Sequence, residues 1–176
     1  MKKFLLVICT ITLFSTSKAQ DKTEKFPNFQ LGIALAPLAN SITSFGYKTG
    51  VAITVSADLK RLNEDFMLFG ETGLVLFSGN GYDGNYKRPN GTLIPIILGT
   101  NYITNNLKIG VGIGYSSFNS GDETEAGTVS GLTFSPRISY AIGKFDAQFK
   151  YVSVSVNSKY AWVDPSHYQY GIVYKF

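Results

Sequence analysis

Few residues of this sequence are equipped for chemistry. His167 is its single histidine, the side chain that titrates near neutral pH and the commonest metal ligand. It follows Ser166, a hydroxyl beside a base, which is the raw material of a nucleophile. Adjacent residues of a strand point to opposite faces, so Ser166 and His167 share a hydrogen bond only on a distorted backbone. A lone imidazole also lacks partners for a metal. His167 therefore reads as a polar rim residue opening a strand, and no catalytic residue, cofactor site or metal site is expected.

A second group carries charge. Glu71, Lys108, Arg137, Asp146 and Lys150 lie where side chains alternate with apolar ones, and an ionised group buried without a partner costs several kcal/mol. They are expected to face one another as a buried ion-pair network, with Glu71 pointing inward. The functional alternative is a narrow ion path opened by exchange of partners. A third group, Tyr82, Tyr86, Tyr160 and Trp162, sits among Asp83, Lys87, Arg88 and Asp164 in polar segments. Exposed aromatics mixed with charge can anchor a partner, although Tyr and Trp also gather where a chain leaves a bilayer. Asp122, Glu123 and Glu125 form an acidic cluster whose spacing defines no ligand set.

These residues must be positioned by strands. After residue 20 the pattern is period-two alternation over segments of about ten residues separated by Gly, Asn, Asp, Ser and Pro. The last segment sets Tyr168, Tyr170, Ile172, Tyr174 and Phe176 against His167, Gln169, Gly171, Val173 and Lys175. The sixth sets Leu132, Phe134, Ile138, Tyr140 and Ile142 against Thr133, Ser135, Arg137, Ser139 and Ala141, with Pro136 as its blemish. The fifth opposes Leu107, Ile109, Val111, Ile113 and Tyr115 to a face of glycines ending at Ser116. The first and second have one greasy face each (Phe29, Leu31, Ile33, Leu35; Val51, Ile53, Val55, Leu59), with Asp58 on the other side of the second. In the seventh, Val152, Val154 and Val156 take over the polar face after Lys150, and a bulge near Tyr151 would explain the switch. The third and fourth (66–78 and 92–102) are apolar on both faces over part of their length, which leaves their register undetermined. Connections after even-numbered segments are short and those after odd-numbered ones long.

The chain opens with Lys2 and Lys3, an apolar run from Phe4 to Phe14 and the exit Ser17-Lys18-Ala19, the organisation of a secretory signal peptide. Residues 1–19 are thus expected to be removed, leaving 20–176 as one domain. Cys9 leaves with the leader, and Ile8 before it argues against a lipoprotein anchor. Without a thiol the mature chain has no disulfide, so a small exported domain needs another closure, such as a closed sheet. Loss of Lys2, Lys3 and Lys18 leaves 13 basic against 12 acidic residues. No basic run exceeds two residues, so nucleic acid is excluded. Prolines and polar residues interrupt every later uncharged stretch, which excludes a spanning helix.

Short and long connections in alternation, charges near strand middles and aromatics at segment ends suit an eight-stranded antiparallel up-and-down transmembrane β-barrel, greasy side out. Its interior is just wide enough to be filled by side chains. At the C-terminus, Gln169, Gly171, Tyr174 and Phe176 resemble the assembly signal read by the barrel insertion machinery. With the leader and eight segments, the mature chain resembles the porin-family small outer-membrane β-barrels, including the OmpA transmembrane domain and OmpX-like proteins. Leu93 to Leu98 is similar to a fourth-strand "IPL" run of that family. The resemblance implies an integral outer-membrane protein of a Gram-negative cell envelope, with periplasmic termini and four external loops. Its partners would be outer-membrane lipid and lipopolysaccharide, and a surface ligand. With no peptidoglycan-binding domain after Phe176, the tethering role of full-length OmpA proteins is not expected. A structural or surface-interaction role leads; a narrow passive channel is the alternative, and a lipid-modifying enzyme the third reading. A soluble lipocalin-type barrel is the architectural rival.

Overall fold

The computed structural model describes residues 26–39, 47–79, 81–82, 86–87, 89–121, 127–156 and 164–176. Residues 1–19, expected to be a leader, and Tyr160, Trp162, Asp122, Glu123 and Glu125 lie outside them, as do the side chains of Tyr82 and Tyr86. Eight strands make the wall: β1 (Asn28–Ala36), β2 (Tyr47–Arg61), β3 (Phe66–Gly79), β4 (Gly91–Thr104), β5 (Leu107–Asn119), β6 (Thr128–Ile142), β7 (Phe145–Val156) and β8 (His167–Lys175). Each pairs antiparallel with its chain neighbours, and β1 closes on β8 from Gln30↔Lys175 to Leu35↔Tyr170. Closure satisfies the last free edge, which hydrocarbon would leave without partners. Between β3 and β4, Gly81–Tyr82 pairs with Tyr86–Lys87 as a separate two-residue ladder. Short turns follow β2, β4 and β6, at 62–65, 105–106 and 143–144, and define a turn-side rim. Asn105 and Gly143 take positive φ there (51° and 61°).

The alternation read from the sequence maps onto the wall. Phe29, Leu31, Ile33 and Leu35, Ile109, Val111, Ile113 and Tyr115, and Tyr168, Tyr170 and Ile172 all face outward, with Ile113 68% and Leu132 71% exposed. Such a belt is unstable in water and suited to acyl chains. Prolines are accommodated by local gaps: β3 and β4 lose their pairing opposite Pro95, and β6 and β7 lose it beside Pro136. Pro offers no amide hydrogen to a ladder.

One expectation is corrected, and one register that the sequence left open is fixed. β7 carries no bulge near Tyr151: Arg137↔Lys150 and Phe134↔Ser153 keep one register, and Asp146, Lys150, Val152 and Val154 all stay inside. What changes at that height is the chemistry of the interior. The irregularities lie instead between β2 and β3, at Tyr47/Gly50 and Asp58/Lys60. The same fact resolves β3 and β4. Val75, Phe77 and Leu93 point inward with Ala36, Ala52, Phe118, Val129, Val152 and Val154, forming an apolar core in the loop-side half. The interior therefore carries its charged groups at mid-height and toward the turn side, and its main apolar cluster on the loop side.

Candidate functional site: the barrel interior

Glu71 enters from β3 and is 6% exposed. Its Oε1 accepts from the Nζ of Lys150 at 2.5 Å, and its Oε2 lies 3.0 Å from the Nη1 of Arg137. In the closed order, β3 and β7 stand diametrically opposite, so the Lys150–Glu71 contact is a strut across the barrel. Arg137 adds a further contact, its guanidinium carbon 3.7 Å from the ring centroid of Phe69, where the quadrupole of an aromatic face favours a cation. Two cations and one carboxylate thus cross the middle of the interior. Gly112 and Gly114, bare of side chains on β5, lie opposite Ser135 and Thr133 of β6, and Ser116 shares a 2.5 Å hydroxyl contact with Thr133.

Toward the turn side a second group forms. Asp146 holds Lys108 through Oδ2 and Lys175 through Oδ1, each at 2.9 Å. Gln30 donates from Nε2 to Asp58 at 2.9 Å. The cavity between these groups and Arg137 has space of only about 10 Å³, room for roughly one water.

The five charged residues singled out in the sequence thus fall into two clusters, Glu71 with Arg137 and Lys150, and Asp146 with Lys108. Sequence reasoning left out Lys175, which completes the second, and the Gln30–Asp58 pair below it. The parity of Lys175 and Asp58 put both on polar faces, but only the register shows that Lys175 reaches Asp146.

His167 is not a rim residue. It is fully buried in the loop-side half, its ring meeting Phe77 edge-on at 5.3 Å between centroids. Nδ1 donates to the carbonyl of Pro165 at 2.8 Å, which leaves Nε2 to accept from Nε2 of Gln169 at 2.8 Å. That assignment is the only one giving both nitrogens a complementary partner. Burial follows because the strand starts inside the apolar core, and the two hydrogen bonds satisfy the ring there. Ser166 Oγ accepts from the amide of Val154 at 3.0 Å, so its hydroxyl oxygen serves the backbone of β7. Of the C-terminal motif, Gln169 is buried beside His167, Gly171 packs on β1, and Tyr174 contacts Phe145 and Phe176 on the outside, at 5.3 and 5.2 Å.

No family model matches the sequence, and no curated protein does. Solved structures do. Neisserial surface protein A aligns at 20% identity and a TM-score of 0.52, over 85% of this chain and 96% of that one. Ail, the attachment invasion locus protein of Yersinia pestis, aligns at 15% identity and a TM-score of 0.50, over 85% of this chain and 97% of that one. Ail in complex with the heparin analogue sucrose octasulfate aligns likewise, at 14% identity, a TM-score of 0.50 and the same coverage. What the chain has in common with them is the fold.

Proposed function

Starting from a chain with the fold of the small outer-membrane β-barrels, we propose that this protein is an integral outer-membrane protein whose work is done at its surface. The wall anchors it, both termini and the short turns face the periplasm, and the four long connections present it to the exterior. One observation carries this reading: among the described residues the interior is filled, by the Lys150–Glu71–Arg137 group at mid-height and by Phe77, Leu93 and Phe118 on the loop side. A solute crossing it would have to displace both layers, and the buried charge group would have to lose its partners, which costs several kcal/mol. Function then falls to the outer wall and the loops, where Tyr82, Tyr86, Tyr160 and Trp162 stand as contacts for lipopolysaccharide or another surface ligand. The insertion machinery is the partner proposed for Gln169, Gly171, Tyr174 and Phe176, and residues 1–19 are proposed as the cleaved leader.

The test is binding of folded, purified protein to lipopolysaccharide and a panel of surface ligands, against a variant with shortened second and fourth loops. Binding by the full-length loops alone supports the reading; equal binding by both proteins refutes the role given to the loops.

A further inference from the structure

The outward face is not uniform. Over β1 to β5 it is mostly aliphatic, whereas β7 and β8 carry an aromatic sector in which Phe149 lies 4.9 Å from Tyr170 and 6.0 Å, stacked, from Tyr168, with Tyr151 5.1 Å from Tyr168. Within it Ala147 is the small outward residue of β7, paired with Tyr140 on one side and Ile172 on the other. The result is a shallow groove of about 380 Å³ bounded by Tyr140, Phe149, Tyr170, Ile138 and Leu107. It lies toward the turn-side rim. Three residues before Ala147, roughly 10 Å along a strand, exposed Lys144 sits in the β6–β7 turn, its ammonium 5.8 Å from the ring centroid of Tyr174.

We propose that this groove and Lys144 form a binding site for one anionic glycerophospholipid, its acyl chain in the groove and its phosphate on the Lys144 ammonium. The inference rests on the membrane reading above. Within a bilayer the hydrophobic effect does not select among surfaces, because every acyl chain is already in oil. Selection must come from shape and charge. Rings fixed by mutual contacts give the groove a wall already set before the chain arrives, so little order is lost on binding. The missing side-chain volume at Ala147 lets dispersion contacts surround the chain on three sides. Lys144, roughly 10 Å along the strand toward the rim, supplies a charge that a neutral surface lacks. Of the other cations near that rim, Lys108 and Lys175 are turned inward on Asp146, and exposed Lys60 and Arg61 stand on β2, three strands away in the closed order.

The full chain, folded into phosphatidylcholine vesicles, is probed with a small fraction of phosphatidylglycerol bearing a photoactivatable acyl chain, and the adducts are mapped. Expected is labelling of Tyr140, Ala147, Phe149 and Tyr170 several-fold above that of Val55 and Leu98 elsewhere on the belt. Ala147→Leu should lower it several-fold by filling the groove. Lys144→Glu, at an exposed turn that tolerates change, should lower it for phosphatidylglycerol but not for a phosphatidylcholine probe. Even labelling around the belt, or labelling indifferent to both variants, overturns the site while the protein still floats with the vesicles. Failure to float overturns the membrane reading, and this inference with it.

Discussion

At the scale of single residues the energetics centre on Glu71. Its carboxylate neutralises two buried cations, so Glu71→Ala should destabilise the barrel by about 3–5 kcal/mol, read as urea unfolding in lipid vesicles. Replacing the whole group, Glu71→Leu with Arg137→Met and Lys150→Met, should recover most of that loss, because apolar side chains of similar volume need no partner. If the triple variant is weaker than the single one, the charges hold the walls by more than mutual neutralisation. His167 presents a different case. His167→Ala removes a ring packed on Phe77 and strands Gln169, so a loss of roughly 3 kcal/mol is expected. Any lipid hydrolysis by the preparation should be unaffected by Ser166→Ala or His167→Ala, since the Ser166 oxygen and both imidazole nitrogens already have partners. These roles were only half visible in the sequence. Periodicity assigns Arg137 and Lys150 to polar faces and the cost of an unpaired charge turns Glu71 inward, but which cation meets the carboxylate depends on the register of the strands between them. The burial of His167 was hidden because a polar residue at a strand start looks alike whether the strand begins in water or inside a core.

At the scale of strands, the seam between β1 and β8 is the place to test closure. A Cβ built at Gly171 would stand 2.3 Å from the carbonyl oxygen of Ile33 and 2.5 Å from the Cβ of Ala34, distances only a displaced strand could relieve. Gly171→Val should therefore abolish the compact, heat-modifiable gel band, whereas Ile172→Val, one residue on and facing outward, should leave it intact. The eight strands and their alternating connections were legible because lipid imposes a strict inside and outside on every segment. The register of β3 and β4 and the regularity of the second half of β7 were not, for one common reason. Their inner faces line the apolar half of the lumen, where a period-two pattern has no contrast left, and in β7 the loss of contrast imitated a bulge.

For the molecule as a whole, the filled interior predicts an electrically quiet protein: reconstituted in a planar bilayer and checked for its folded gel band, it should show no unitary conductance. Steady openings would show that the mid-height ion group is a movable barrier. The strut across the diameter also bears on how such a wall can be made. Glu71 lies on the third strand, yet both cations that satisfy it arrive on the sixth and seventh. A chain emerging from its N-terminus exposes a lone anion to oil until the late hairpins swing round, so a half-built sheet has no resting place in the membrane. With the wall in lipid as proposed, entry into the membrane and completion of the ring are expected to be a single event, and a fragment stopping after β5 should stay with soluble chaperones instead of partitioning into vesicles.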